Sequence, residues 1–149
     1  MEIRIRKAVK TDIPIIHNLV RELAIYERAE EQFVATPEEY ERDFDDQIYR
    51  TTVAEADGKV VGMTLSYMAY STWKGRMLYL EDFVINEDYR RYGIGQMLFD
   101  AFLQEAREEG CRLVKWQVLD WNEPALRFYE KNQAVIEKDW GNGKIFLRE

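Results

Sequence analysis

Apolar and polar positions along the first part of the chain predict a strand followed by two helices. Ile3 and Ile5 alternate with charged residues, which is typical of a strand. A helix begins at Thr11, and its apolar face is formed by Ile16, Val20, Leu23 and Ala24. The segment Thr36-Pro37-Glu38-Glu39 is a capping box with proline at the first helical position, so it predicts the start of a second helix.

The middle of the chain continues with strands and helices in alternation. Asp57-Gly58 separates two apolar runs, and this dipeptide predicts a tight hairpin turn. A further apolar strand, Leu78–Ile85, leads to a helix that ends at Gly110. The apolar stripe of that helix is Ile94, Met97, Leu98, Ala101, Phe102 and Ala106. Residues 113–119 then form a strand, and Asn122 begins another helix as its N-cap.

Short apolar stretches near the end of the sequence predict a last hairpin. Val135-Ile136 and Ile145-Phe146-Leu147 lie on either side of Gly141-Asn142-Gly143. The order β-α-α-β-β-β-α-β-α-β-β predicts an α/β fold of the α+β type, with a mixed, mostly antiparallel sheet and helices on both faces. Since no repeat or linker interrupts it, we expect one domain over residues 1–149. The last apolar strands can pair within the chain or close a dimer, and periodicity does not distinguish the two.

Composition narrows the classes of function. A net charge of −7 argues against a nucleic-acid partner, which requires a basic face. No apolar run approaches the roughly twenty residues that span a membrane, and the first residues lack the apolar stretch of a signal peptide. We therefore expect a cytoplasmic protein with no membrane partner. His17 is the only histidine, so a histidine-rich metal site is excluded, a Ser-His-Asp hydrolase is disfavoured, and no metal is expected.

The segment Arg90-Arg91-Tyr92-Gly93-Ile94-Gly95 lies between a predicted strand and a predicted helix. The start of a helix presents unpaired N–H groups and the positive end of the helix dipole, which together favour a bound anion. The loop does not fit two familiar phosphate motifs. Gln96-Met97 stands where a Walker loop requires Lys-Ser or Lys-Thr, and a dinucleotide fingerprint requires a third glycine.

The remaining pattern, Arg-x-x-Gly-x-Gly, resembles the pyrophosphate loop of the GNAT acyltransferases. That resemblance implies acetyl-CoA as the acyl donor. The loop residues that would hold its pyrophosphate are Arg90, Arg91, Tyr92, Gly93, Ile94, Gly95 and Gln96. The resemblance also implies that the pantetheine arm pairs like an added strand with the backbone of Phe83, Val84 and Ile85, where an N–H could donate to the acetyl oxygen.

A second segment, Asn122–Lys131, resembles the part of the same family that binds the pantetheine arm and protonates the departing thiol. The resemblance assigns the arm to Asn122, Pro124, Ala125 and Tyr129. It makes Tyr129 the general acid, and a phenol with a reference pKa of about 10 suits protonation of a thiolate. A purely structural interpretation treats Asn122 as a cap and Tyr129 as a core aromatic.

Several stretches resemble one branch of the family, the polyamine and thialysine N-acetyltransferases. They are Leu23–Gln32, Leu78–Phe83 and Trp121–Pro124. Two positions depart from the branch. Gln133 replaces a glycine after the tyrosine helix, and Ser71-Thr72 lacks the acid that polyamine enzymes carry near Trp73. The missing acid favours a shorter, lysine-like amine over a long polycation.

Acetyl transfer to an amine also needs a group that removes the ammonium proton. Glu81 is the candidate base, because adjacent acids in an apolar strand are unusual. Strand alternation predicts Glu81 and Phe83 on one face, with Asp82 on the other. The substrate-binding candidates are Tyr26, Glu27, Trp73, Glu81 and Asp82. A structural salt bridge from Glu81 to Arg76 remains an alternative.

The expected activity is acetyl transfer from acetyl-CoA to a primary amine of a small cationic molecule, namely a polyamine, a diamine or a lysine analogue such as thialysine. Three alternatives stay open: a protein or peptide N-acetyltransferase, a non-catalytic sensor of acyl-CoA, and an interaction domain whose glycine loop is only a turn. The resemblance also implies a homodimer.

Overall fold

The computed structural model describes residues 1–148, and their contacts divide them into two compact units. The first unit ends at Gln117 and the second begins at Val118. The first contains β1 (Ile3–Lys7), α1 (Ile13–Tyr26), α2 (Pro37–Asp45), β2 (Arg50–Ala56), β3 (Lys59–Ser71), β4 (Gly75–Ile85), α3 (Ile94–Glu108) and β5 (Leu113–Trp116), and the second contains α4 (Glu123–Lys131). No helix within residues 1–148 combines the length and the apolar character needed to cross a membrane.

The sheet of the first unit has the order β1-β2-β3-β4-β5. The first four strands pair antiparallel, and β5 lies parallel to β4. Asp57 and Gly58 have φ values of 51° and 83°, which is the backbone that a two-residue turn between twisted strands requires. A parallel pair needs a crossover, and α3 supplies it between β4 and β5. The predicted mixed, mostly antiparallel sheet is confirmed.

Helices cover both faces of this sheet, as predicted. On one face, called here the α1 face, Ile13, Ile16 and Val20 pack with strand residues that include Met63, Leu65 and Val84. On the other, the α3 face, Ile94 and Leu98 pack with Ala54 and Val61. Burial of these apolar side chains is the main favourable contribution to the stability of such a layered fold.

Gly62 permits the close approach of β3, β4 and α3. A Cβ at this position would lie 2.7 Å from Ile85 Cδ1, 3.2 Å from the Val84 carbonyl and 3.3 Å from Leu98 Cδ1. A side chain there would have to displace the ends of the Ile85 and Leu98 side chains and press on the Val84 carbonyl. Gly62 therefore avoids crowding between β3, β4 and α3.

A β-bulge interrupts β4 at Glu81. Ser66 of β3 pairs with Leu80, but the next residue back, Leu65, pairs with Asp82, so Glu81 is the extra residue. Residues directly opposite each other in an antiparallel pair share a face. Asp82 therefore shares the α1 face with Leu65. Glu81 lies on the face opposite to that of its neighbour Leu80, and this is also the α1 face.

The prediction that Glu81 and Asp82 lie on opposite faces of the sheet is therefore wrong. Phe83 packs on the α3 face, where its ring stacks on Phe99 at 5.9 Å, whereas Glu81 and Asp82 both lie on the α1 face. A period of two holds only while pairing is regular, and the inserted residue shifts that period by one.

The helix boundaries agree closely with their sequence signals. The Thr36 hydroxyl accepts from the Glu39 N–H at 3.1 Å, which confirms the capping box of α2. In the second unit the Asn122 side chain accepts from the Ala125 N–H at 3.4 Å, so Asn122 is the N-cap of α4. Gln133 has φ 61°, so a residue with a side chain adopts the left-handed turn after α4 that favours glycine.

The predicted last hairpin is absent, because residues 134–148 contain neither helix nor strand. Its apolar side chains are exposed: Val135 by 86%, Ile145 by 87% and Leu147 by 92%. Strand propensity depends on packing against neighbours, and an isolated two-stranded hairpin is marginal in water. Two runs of two and three apolar residues were too short to form one by themselves. The preceding strand is also shorter than predicted, since β5 ends at Trp116.

Candidate active site

Within the described residues, β4 has one edge after its bulge along which no β-strand is paired, called here the open edge. Pairing between β4 and β5 ends at Leu80 and Trp116, and within the described chain no strand pairs with residues 81–85 on that side. The opposite edge is occupied, since Phe83 and Val84 pair with Thr64 and Met63 of β3. An extended molecule can therefore add to β4 here as a further strand would. This is the edge formed by the predicted residues Phe83, Val84 and Ile85.

The glycine loop joins this edge to α3. Arg91 and Gly93 both have φ 78°, so the chain turns twice through the left-handed region before the helix. Such a run of turns directs successive backbone N–H groups to one side, as in known anion sites. The first intrahelical bond is donated by the Met97 N–H to the Gly93 carbonyl, at 3.2 Å. A Cβ at Gly93 would have no atom within 4 Å, so this part of the loop is open to an approaching ligand.

The charged residues of the loop border an open cavity of about 560 Å³. Its lining consists of Glu87, Asp88, Arg90, Arg91 and Tyr92. Arg90 is committed to structural contacts, because its Nε donates to the Ile85 carbonyl at 3.2 Å and its guanidinium lies 5.7 Å from the centre of the Tyr26 ring. The loop is thereby attached to the end of α1.

An acidic cluster lies on the α1 face at the bulge. It consists of Glu81 and Asp82 on β4 and Glu27 at the end of α1. Burial, followed by the negative charges of Glu81 and Glu27, raises the pKa of Asp82 to about 7. Burial also raises the pKa of Glu27. None of the three acids forms an ion pair within the part of the chain that the structure describes, and Arg76 instead donates to the Glu109 carbonyl at 3.1 Å.

Three tyrosines surround this cluster and were not predicted from the sequence. Burial and then the charges of Asp82 and Glu81 raise the pKa of Tyr40, on α2. Burial and the charge of Glu81 raise the pKa of Tyr67 and of Tyr79, whose rings stack at 5.2 Å across β3 and β4. Knowledge of the register between β3 and β4 would have identified the pair of Tyr67 and Tyr79. The contribution of Tyr40 depends on how α2 packs, which no local pattern specifies.

The predicted aromatic wall is only partly assembled. Tyr26 lies beside Arg90 at the end of α1, near Glu27 in sequence. Trp73 is in the turn between β3 and β4 and is 87% exposed. The six residue-to-residue steps from Gly75 to Glu81 span about 20 Å, so Trp73 is not adjacent to the acids of its own chain. A substrate-binding role for Trp73 stays a prediction.

The second unit contains the predicted residues Asn122, Pro124, Ala125 and Tyr129, all at or within α4. Asn122 and Tyr129 are its buried members, at 9% and 7% exposure. The Phe128 and Tyr129 rings meet edge to face at 5.7 Å, and the Asn132 side chain donates to the Phe128 carbonyl at 2.9 Å. The ring contact packs Tyr129 against Phe128, and the Asn132 side chain caps the end of α4. Its predicted role as a general acid stays a prediction.

Residues 1–148 contain no group of three or more His, Cys, Asp and Glu side chains placed to hold a metal ion. The Glu27, Glu81 and Asp82 cluster lies beside the rings of Tyr40, Tyr67 and Tyr79. Its acids suit an organic cation that is held by charge and by aromatic faces.

The sequence of residues 16–134 matches the Acetyltransferase (GNAT) family. The chain belongs to this family. The matched range contains the open edge of β4, the glycine loop and α4. The GNAT family uses acetyl-CoA as its acyl donor.

Two relatives illustrate where this GNAT chain lies within the family. It is 38% identical over 138 residues to thialysine N-epsilon-acetyltransferase of Bos taurus, covering 86% of this chain and 81% of that protein. It is 27% identical to an L-ornithine N5-acetyltransferase of Arabidopsis thaliana, covering 92% and 81% of the two chains. Together with the family match, these similarities identify the chain as an acetyltransferase enzyme.

Solved structures support the fold. A crystal structure of an aminoglycoside acetyltransferase from an uncultured soil metagenomic sample, in complex with trehalose, has a TM-score of 0.80 with this chain. The match covers 98% of this chain and 97% of that one at 22% sequence identity. At that identity the likeness concerns the fold alone.

Proposed function

We propose that this GNAT enzyme transfers the acetyl group of acetyl-CoA to a terminal primary amine of a small cationic substrate, with a lysine-like amino acid such as thialysine as the preferred acceptor. The observation that carries the proposal is the cluster of Glu27, Glu81 and Asp82 beside the open edge of β4. Three acids without ion-pair partners within residues 1–148 offer a site for a cation. The relatives named for the N-epsilon of thialysine and the N5 of L-ornithine agree with this acceptor chemistry.

The donor site follows from the same elements. The backbone of Phe83, Val84 and Ile85 pairs with the pantetheine arm, and the residues from Arg91 to Gln96 hold the pyrophosphate. Arg90 contributes by holding the loop against Ile85 and Tyr26. Asn122, Pro124 and Ala125 position the arm from α4.

The reaction is a direct attack in a ternary complex. The ammonium first loses a proton to a carboxylate of the Glu81–Asp82 pair, and the neutral amine then attacks the thioester carbonyl. The new C–N bond forms as the C–S bond breaks, and the thiolate takes a proton from the Tyr129 hydroxyl. A backbone N–H of β4 donates to the carbonyl oxygen as negative charge develops on it.

The first experiment measures thiol release from acetyl-CoA by the purified protein. The acceptors are thialysine, lysine, ornithine, putrescine, spermidine, spermine and a short peptide. We expect the highest kcat/KM with thialysine or ornithine. If only the peptide is acetylated, the small-amine proposal is wrong. If acetyl-CoA binds and none of these acceptors reacts, the small-amine proposal is wrong, and other peptide acceptors or a sensor role are the next to test.

Tyr129→Phe tests the general acid. We expect this variant to fold normally and to lose turnover by about 10²-fold or more, because a phenylalanine ring fills the same space without a proton to donate. Phe128→Leu serves as the matched control for altering an aromatic ring in α4. Full turnover in Tyr129→Phe would remove Tyr129 from the mechanism.

The oligomeric state and location are also part of the proposal. The exposed Val135, Trp140, Ile145, Phe146 and Leu147 form an apolar segment, called here the C-terminal segment. Exposed apolar surface of this kind marks interaction sites, and we assign it to a homodimer interface. Acetyl-CoA as donor agrees with action in the cytoplasm.

A further inference from the structure

The bulge in β4 places two adjacent acids in unequal surroundings on one face. Consecutive strand residues normally point to opposite faces, but the extra residue at position 81 puts both side chains on the α1 face. Glu81 is exposed, whereas Asp82 is partly buried opposite Leu65 in the apolar layer beneath α1. The two carboxylates thus share a site but differ in their access to water.

Two acids and one phenol of the described residues interact electrostatically with Asp82. They are Glu81 on its own strand, Glu27 at the end of α1 and Tyr40 on α2. Within residues 1–148, no lysine or arginine pairs with Asp82. A partly buried carboxylate beside two others is costly to ionise, so its charge needs a partner from outside the chain.

We propose that Asp82, and not Glu81, accepts the proton of the substrate ammonium, while the exposed Glu81 side chain holds the cation at the bulge. This inference rests on the proposed function and names its base. In the step, an N–H bond of the ammonium breaks and its electron pair stays on nitrogen, while the proton binds a carboxylate oxygen of Asp82. The neutral amine then attacks the thioester, and the Asp82 proton returns to solvent after product leaves.

The electrostatics agree with this division of roles. A general base works best when its pKa lies near the working pH, and that of Asp82 is raised to about 7 by burial and by its acidic neighbours. Two carboxylates in different environments commonly take different roles in one reaction. Glu81 is exposed, so its side chain is accessible to an incoming cationic substrate.

The test is the pH dependence of kcat/KM for thialysine in Asp82→Asn and Glu81→Gln. For the wild type we expect an acidic limb with an apparent pKa near 7. Asp82→Asn should remove this limb and lower kcat/KM by about 10²- to 10⁴-fold. Glu81→Gln should keep the limb but move it to lower pH, because one of the charges that raise the Asp82 pKa is lost. The same variant should raise KM more than it lowers kcat.

The opposite pattern would overturn the inference. If Glu81→Gln loses the limb and Asp82→Asn retains it, Glu81 is the base. Glu27→Gln gives a second check, since it also removes a charge that raises the Asp82 pKa and should shift the limb in the same direction. Glu31→Gln, at an exposed acid elsewhere, controls for the change in net charge. Failure of the proposed function is distinct, because the wild type itself would then show no amine-dependent thiol release.

Discussion

Asp82 shows how one residue acquires its properties from its neighbours. Its carboxyl lies under α1 beside Glu81 and Glu27, and burial together with those charges raises its pKa to about 7. In the unfolded chain the same group has an ordinary pKa near 3.9. The protein therefore ionises Asp82 less readily when folded, which makes the stability of the protein depend on pH.

The sign of that dependence gives a prediction. Because the folded pKa is raised, the stability contribution of Asp82 declines as the pH rises from about 4 to about 7. Asp82→Asn removes this decline. The compared quantity is the melting temperature of the variant minus that of the wild type. We expect this difference to be a few degrees larger at pH 8 than at pH 4. Thermal unfolding across this range checks it, with Glu31→Gln as the control.

A melting difference that does not change with pH would contradict the environment described for Asp82. Such a result would also weaken the assignment of Asp82 as the base, independently of any activity measurement.

At the scale of elements, the glycine loop and α3 act together. The loop turns through the left-handed region at Arg91 and Gly93, and α3 begins directly afterwards at Ile94. Arg91 adopts a left-handed backbone conformation that favours glycine, and this strain costs on the order of 1–3 kcal/mol. Strain of this kind is common where backbone groups are arranged for a ligand.

Gly93→Ala tests the loop against a matched control. Gly93 and Gly58 have φ values of 78° and 83°, and a Cβ at either has no atom within 4 Å. Both alanine variants should lose about 1 kcal/mol of unfolding free energy from backbone strain. Only Gly93→Ala should weaken acetyl-CoA binding, by about tenfold, as measured by calorimetry. Equal affinity in the two variants would show that the loop does not bind the donor.

At the scale of the whole molecule, the C-terminal segment is unlike the rest of the surface. Exposed single apolar residues are ordinary, but here several occur within thirteen residues and none is in a helix or strand. Such a segment acquires strand structure only where a neighbouring edge accepts it. A second copy of the chain could provide that edge.

The double variant Ile145→Asp with Leu147→Asp tests this interface. The two side chains are 87% and 92% exposed, so the folded monomer should tolerate the change, while charge at a dimer interface is strongly unfavourable. We expect the wild type to sediment as a dimer and the variant as a monomer. Val34→Asp, at a side chain 68% exposed elsewhere, should leave the dimer intact. A variant that remains dimeric would place the interface on another surface.

The elements that sequence patterns located are those governed by local rules. The α2 capping box, the Asp57-Gly58 turn and the Asn122 cap each depend on residues within four positions of one another. The glycine loop was also recognisable, because its residues are contiguous. The family and its acetyl transfer were predicted from this loop and from the Asn122–Lys131 segment, by their resemblance to the GNAT acyltransferases.

Tertiary structure decided the features that depend on pairing between distant strands. The bulge at Glu81 arises from the register of β4 against β3, and it moved Glu81 to the face of Asp82. The pairing of Tyr67 with Tyr79 depends on the same register, and the approach of Tyr40 depends on the packing of α2. The last hairpin failed for a related reason, since a short apolar run becomes a strand only when another strand accepts its hydrogen bonds. The sequence thus determined the family and the local elements, and long-range pairing determined which acids meet and how readily each one ionises.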